Sequence, residues 1–149
     1  MSEVTRPELG PYMSAECFRY LRQYAEETAG RGLIVQAGKQ RGLSLADALK
    51  GIGADEEARI TEVLGQVLGK AGTRLCLVDS VSKTAQGYRV QVSESACSTG
   101  MKTTTPNCAY TMGVFVGAIE VITKQRFNPT ETECVACGDD HCIYELEQL

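Results

Sequence analysis

The stretch Glu131-Thr132-Glu133-Cys134-Val135-Ala136-Cys137-Gly138-Asp139-Asp140-His141-Cys142-Ile143-Tyr144 crowds three cysteines around one glycine turn. Glu133 to Leu149 reads as two short strands joined by Cys137-Gly138-Asp139-Asp140, a turn that brings the sulfurs of Cys134 and Cys142 within reach of one ion. Cys108 is the natural third partner. It falls in the first turn of the buried helix that precedes this stretch, where free backbone N–H groups and the helix dipole favour the thiolate, the form that binds metal. Zinc accepts three sulfurs plus one oxygen or nitrogen in a tetrahedron, at roughly 2.3 Å per Zn–S bond. Glu94, at the end of the preceding strand, can supply the oxygen. Cys97 and Cys137 leave open a four-sulfur site or an iron–sulfur centre. His141 adjoins Cys142 but points to the opposite face of a strand and is expected to be exposed. Cys17 and Cys76, each among apolar neighbours, read as inert core thiols.

Working outward from this stretch, Thr105-Pro106 is expected to open a helix, with a capping residue followed by proline at the first position. From Ala109 to Ile122 that helix is apolar on nearly every side and must be buried, while Gly113 and Gly117 let something pack tightly against it. Ser98 to Thr105 is a polar loop. Arg74-Leu75-Cys76-Leu77-Val78 and the alternating Tyr88, Val90 and Val92 form a hairpin turning at Gln86-Gly87. Before it lies a helix capped by Asp55 whose Ile60, Val63, Leu64, Val67 and Leu68 recur at helical spacing. Residues 14–29, capped by Ser14 and carrying Phe18, Leu21 and Ala25, form the first helix, ended by Gly30 and Gly32. Leu33 to Arg41 is a second short helix whose Gly38 and Gly42 permit close approach of another backbone, and Gly51 to Ala54 is a loop. Neither a repeat nor a linker divides residues 1–149, so one α+β domain is expected.

Composition narrows the function. A chain of 149 residues with 43% hydrophobic and 23% charged residues is globular. The net charge of −4, with basic residues scattered, argues against a nucleic-acid partner. No apolar run is long enough to span a bilayer, and Met1 to Pro7 lacks the apolar core of a secretory signal. The expected compartment is the cytosol, where seven cysteines point to metal ligation or thiol chemistry rather than disulfides.

Thr105-Pro106-Asn107-Cys108, leading into a glycine-containing apolar helix, and the cysteine stretch above resemble the C-terminal signature of the 4-vinyl-reductase domain family. Leu33 to Gly42 resembles its glycine-containing second helix, and Val92-Ser93-Glu94-Ser95 the acidic end of its strand. The resemblance implies a fold shared with the ligand-sensing domains of phenol- and xylene-responsive activators and with core subunits of the vesicle-tethering complex. That fold is an antiparallel sheet with helices on one side, commonly dimerised through the helices. It further implies a zinc held by Cys108, Cys134, Cys142 and, by analogy, Glu94.

The expected function is non-catalytic binding of a hydrophobic small molecule, an aromatic compound or a tetrapyrrole of chlorophyll synthesis. Gly113 and Gly117 would make room for it, and Tyr110, Val114, Ala118, Phe18 and Leu64 would line its pocket. A vinyl reductase is the alternative, yet no GxGxxG turn, phosphate loop or acid–base pair is legible. A dimeric scaffold is a third reading, with Tyr20 and Tyr24 beside the stripe of the first helix as interface candidates. With no DNA-binding or ATPase segment legible, a sensor of this kind is expected to pass its output to a protein partner.

Overall fold

A computed structural model describes residues 6–149. The leader reading falls largely on Met1 to Thr5, outside the described residues. Helices α1 (Ala15–Ala29), α2 (Arg31–Leu43) and α3 (Glu57–Leu68) precede the hairpin of β1 (Leu77–Lys83) and β2 (Gly87–Ser93). Helix α4 (Ala109–Thr123), β3 (Phe127–Glu133), a single 3-10 turn at Val135–Cys137 and β4 (Cys142–Gln148) follow. The sheet is antiparallel throughout, in the order β1-β2-β4-β3. The fold is α+β, as the sequence predicts.

One sheet face makes the core. Tyr88, Val90 and Val92 of β2 are buried and pair with Leu146, Tyr144 and Cys142 of β4, because residues two apart share a face. The other face carries the Arg89–Glu145 ion pair, 3.1 Å apart. Helix α3 lays Ile60, Leu64 and Leu68 into the core. Its Thr61 hydroxyl accepts the Val81 N–H at 3.0 Å, tying the helix to β1.

Helix α4 is buried along most of its length, and its Gly113 and Gly117 face Gly38 and Gly42 of α2. A Cβ on Gly113 would lie 2.2 Å from the Val35 carbonyl, and one on Gly42 would lie 2.1 Å from the Val114 carbonyl. The close approach expected of each glycine pair is thus an approach of the two helices to each other. Leu45, Leu49 and Ile52, in the turns after α2, are buried in the same core.

Several boundaries differ from the sequence reading, each for a local reason. Ser14 caps α1 by accepting the Glu16 N–H, as expected, but α2 begins already at Arg31, so Gly32 lies inside it. Asp55 pairs with Lys83 across to β1, and Glu56 occupies the cap position of α3. The first strand runs from Leu77, because Arg74 takes a left-handed backbone, φ 58°, that breaks an extended run. Pro106 does not open α4; the helix starts at Ala109 with Cys108 as its cap. Strand β3 lies ahead of Glu133, at Phe127–Glu133, and its Pro129 is tolerated because β3 is an edge strand. In α1 the buried residue is Arg22, while Leu21 is 67% exposed. Cys17 is likewise exposed rather than core, and Cys76 is buried as expected.

Candidate metal centre and cavity

Cys108, Cys134 and Cys142 are buried and offer three sulfurs that all lie within 4.8 Å of one another. Each arrives from a different element: Cys108 caps α4, Cys134 follows β3, and Cys142 opens β4. The sulfurs of Cys108 and Cys142 are 3.5 Å apart. Backbone groups aim at the cluster, with the Asn107 N–H donating to Cys134 Sγ and the Val135 N–H to Cys142 Sγ, each at 3.4 Å. The turn between Cys134 and Cys142 is set by Gly138, at φ 100°, and by Asp139, whose carboxylate accepts the Cys134 N–H at 2.8 Å. Three buried thiols, two of whose sulfurs receive backbone N–H donors, suit a thiophilic ion such as zinc.

The protonation pattern is uneven. Hydrogen bonds from Cys108 and Cys142 hold the Cys134 thiol far below its ordinary range. Those same interactions, with burial, push Cys108 far above it. For Cys142 the bond with Cys108 lowers the value, but Cys134 and burial outweigh it and leave the thiol up at about 11.

Glu94 is not brought to the sulfurs. Its backbone turns left-handed, φ 50°, at the end of β2, and the exposed side chain borders a surface depression with Lys70, Arg74 and Cys76. Cys97 is buried, its sulfur 3.2 Å from the Thr111 hydroxyl, and Cys137 is exposed, 3.8 Å from Thr103; neither joins the three-sulfur group. His141 is half-buried rather than exposed, with its ring 3.4 Å from Asp79.

The carboxylate that does reach this region is Glu131. Both of its oxygens accept the Cys108 N–H, at 3.0 and 3.1 Å, and Arg31 lies 3.3 Å away. Burial, against the pull of that N–H and of Arg31, lifts the Glu131 carboxyl to about 7. Arg31 also donates to the Pro106 carbonyl at 2.9 Å and faces Glu26, which pairs in turn with buried Arg22 at 2.6 Å. Arg22 continues to Asn107 at 3.3 Å. A polar chain thus runs from α1 through α2 to the cysteine cluster. Sequence reading passed over it, although Arg22 and Glu26 sit at the i, i+4 spacing that marks a helix ion pair.

Of the residues expected to line a pocket, Phe18 and Tyr110 meet edge to face, 5.3 Å between ring centroids. Both border a cavity of about 650 Å³ with Tyr12, Met13 and Leu75. Val114, Ala118 and Leu64 do not reach it; all three are fully buried in the core. The room at Gly113 and Gly117 is taken by the α2 backbone and none is left for a ligand.

A family comparison bears on the cysteine-bearing C-terminal part. Residues 88–148 match the V4R domain. The V4R segment contains β2, α4, β3 and β4, and with them the three clustered cysteines and Glu131. A solved vinyl-4-reductase family protein from Methanocaldococcus jannaschii matches at 14% identity and TM-score 0.61, over 95% of this chain and 85% of its own. The match falls on the C-terminal signature read from the sequence, and the solved structure shares the fold. The phenol-responsive sensory domain of the activator PoxR, solved with phenol, matches at 20% identity and TM-score 0.65, over 93% and 75%. A trafficking protein particle complex subunit 3 from Naegleria fowleri, covalently bound to palmitic acid, matches at 19% and 0.59, over 91% and 89%. At such identities these likenesses establish the fold alone. No curated protein matches by sequence.

Proposed function

We propose that this protein is a non-catalytic binding module for a hydrophobic small molecule, held in shape by a zinc ion on Cys108, Cys134 and Cys142. The observation that carries the reading is the cavity of about 650 Å³ whose wall includes the Phe18–Tyr110 aromatic pair. Its size falls within the range of ordinary ligand sites, and aromatic edges suit a planar guest. The phenol bound by the PoxR domain and the palmitic acid on the Naegleria subunit lend support to apolar cargo on this fold. An aromatic compound or a tetrapyrrole is the ligand class proposed here.

Zinc in this reading is structural. Bound to the three sulfurs it would supply a fixed tetrahedral node, tying the β3–β4 connection to the start of α4. The chain's own residues orient that node: Asn107 and Val135 direct N–H groups at sulfur, and Glu131 fixes the Cys108 backbone. An iron–sulfur centre is the competing cofactor, and colour separates the two. No described helix is long and apolar enough to cross a membrane. The reading places the protein in the cytosol, where its thiols stay reduced, as a homodimer formed through α1.

The test is a ligand screen by native mass spectrometry and intrinsic fluorescence, using phenols, naphthalenes and tetrapyrroles on the zinc-loaded protein. Retention of an apolar compound, weakened about tenfold by Tyr110→Ala or Phe18→Ala, is expected. No binding by any class, or binding indifferent to both substitutions, defeats the reading.

A further inference from the structure

The cavity wall is apolar and aromatic but for Thr73 and two arginines. Arg41 enters from α2 and Arg74 from the connection between α3 and β1, and both border the same space as Phe18 and Tyr110. No acidic residue lines it. The chain has more acids than bases, 19 against 15, and Arg19, Arg22, Arg31, Arg59 and Arg89 each face a carboxylate. Among the described residues, neither Arg41 nor Arg74 has a carboxylate within ion-pair distance.

Each arginine is also held in place. The Arg41 guanidinium donates to the Ser44 hydroxyl at 2.8 Å, which leaves its other N–H groups free. The Arg74 guanidinium lies 5.9 Å from the Tyr12 ring centroid, braced on a residue of the cavity wall. Its backbone sits at φ 58°, a conformation that costs a residue bearing a Cβ and that glycine would adopt freely. Burial pushes the Tyr110 phenol up, and the charge of Arg41 acts in the opposite direction.

We infer that the cavity selects an organic anion, an aromatic body bearing a carboxylate, sulfonate or phosphate group that Arg41 and Arg74 grip while Phe18 and Tyr110 hold the ring. The inference rests on the reading of this cavity as a ligand site and sharpens it from apolar to amphipathic. Guanidinium groups are weakly hydrated planar donors, and pairing with an oxyanion beside a low-dielectric wall is where they contribute most. Uncharged phenols and hydrocarbons would leave both cations without an acidic partner.

Two fluorescent probes with the same apolar body isolate the charge: 1-anilinonaphthalene-8-sulfonate and neutral N-phenyl-1-naphthylamine. Titrated into the zinc-loaded chain, the sulfonate is expected to bind about tenfold tighter than the neutral probe. Raising the salt to about 0.5 M should shrink that ratio. Arg41→Gln with Arg74→Gln should bring the two affinities together by weakening the sulfonate alone, with an unchanged thermal midpoint showing that the variant is folded. The single variants, should the double one unfold, must each lower the ratio. Displacement of the bound sulfonate by 2-naphthoate but not by 2-naphthamide extends the result to a carboxylate. Equal affinities in the unaltered protein, both sensitive to Tyr110→Ala, would overturn the inference while leaving the cavity a ligand site. A preference that survives loss of both arginines would overturn it too, by locating the sulfonate elsewhere. Failure of both probes to respond to Tyr110→Ala would remove the ligand site itself.

Discussion

Cys134 shares one buried three-sulfur group with Cys108 and Cys142. Replacing it or Cys142 with serine exchanges a soft donor for a hydroxyl that holds zinc poorly. Elemental analysis of Cys134→Ser should show metal falling from about one zinc per chain to a trace, with a lower thermal midpoint; unchanged metal content would count against the ligand set. Glu131 acts one step further out. Glu131→Ala strips the buried Cys108 N–H of its acceptor and Arg31 of a partner, a loss of about 1–3 kcal/mol in denaturant unfolding, whereas Glu131→Gln keeps an acceptor for the N–H and should cost less. Equal stability of the two variants would show that the carboxylate is not anchoring Cys108. Grouping of the three cysteines was legible because glycine-turn spacing and the start of an apolar helix constrain where sulfurs can go. The choice between Glu94 and Glu131 was not. It depends on a left-handed twist at Glu94 and on the bulge between Glu131 and Glu133 in the β3–β4 pairing, and neither has a signature in a single sequence.

At the scale of elements, the crossing of α2 and α4 is set by four glycines without room for a methyl group. A Cβ on Gly38 would meet the Tyr110 carbonyl at 2.1 Å, and one on Gly117 the Lys39 carbonyl at 2.2 Å. Backbone cannot rotate aside as a side chain can, so the helices would have to part. Gly38→Ala and Gly117→Ala are each expected to destabilise by about 3 kcal/mol or more. Gly65 in α3 has open space at the same point, and Gly65→Ala should stabilise by about 0.5–1 kcal/mol through helix propensity alone. Unfolding curves of the three variants check this directly; a Gly38→Ala protein as stable as the parent would mean the helices are not in contact. The spacing Gly38 to Gly42 and Gly113 to Gly117 announced close packing, yet not what would be packed. Assigning that space to a ligand put Val114 and Ala118 on a pocket wall, when they belong to a helix seam. Strand β3 escaped notice for a related reason: Asn128-Pro129-Thr130-Glu131-Thr132 lacks an apolar alternation, and its pairing comes from β4 on one side only.

The whole molecule presents an inverted first helix. Toward the protein, α1 buries Arg22 and part of Glu26, whose charges join the chain leading to Glu131. Away from it, Cys17, Tyr20, Leu21 and Tyr24 follow at i, i+3, i+4 and i+7, one face of a helix, and the three larger side chains are 64%, 67% and 72% exposed. Leu33, at the start of α2, is 58% exposed as well. A stripe of this composition in water resembles the centre of a protein interface, rich in tyrosine and poor in charge. The proposed homodimer would cover it by placing two α1 helices face to face about a two-fold axis, each stripe meeting its own copy. Sedimentation equilibrium on the chain of 16.1 kDa should then return about twice that mass. Leu21→Glu with Tyr24→Glu sets like charges against each other across the axis and should return the monomer mass. These two positions lie on the outer face, so the variant's thermal midpoint at low concentration should match that of the diluted parent, and the three-cysteine cluster should keep its zinc. A parent that sediments as a monomer at every concentration, or a double variant that still sediments as a dimer, would remove α1 from the interface and leave its apolar stripe without an account.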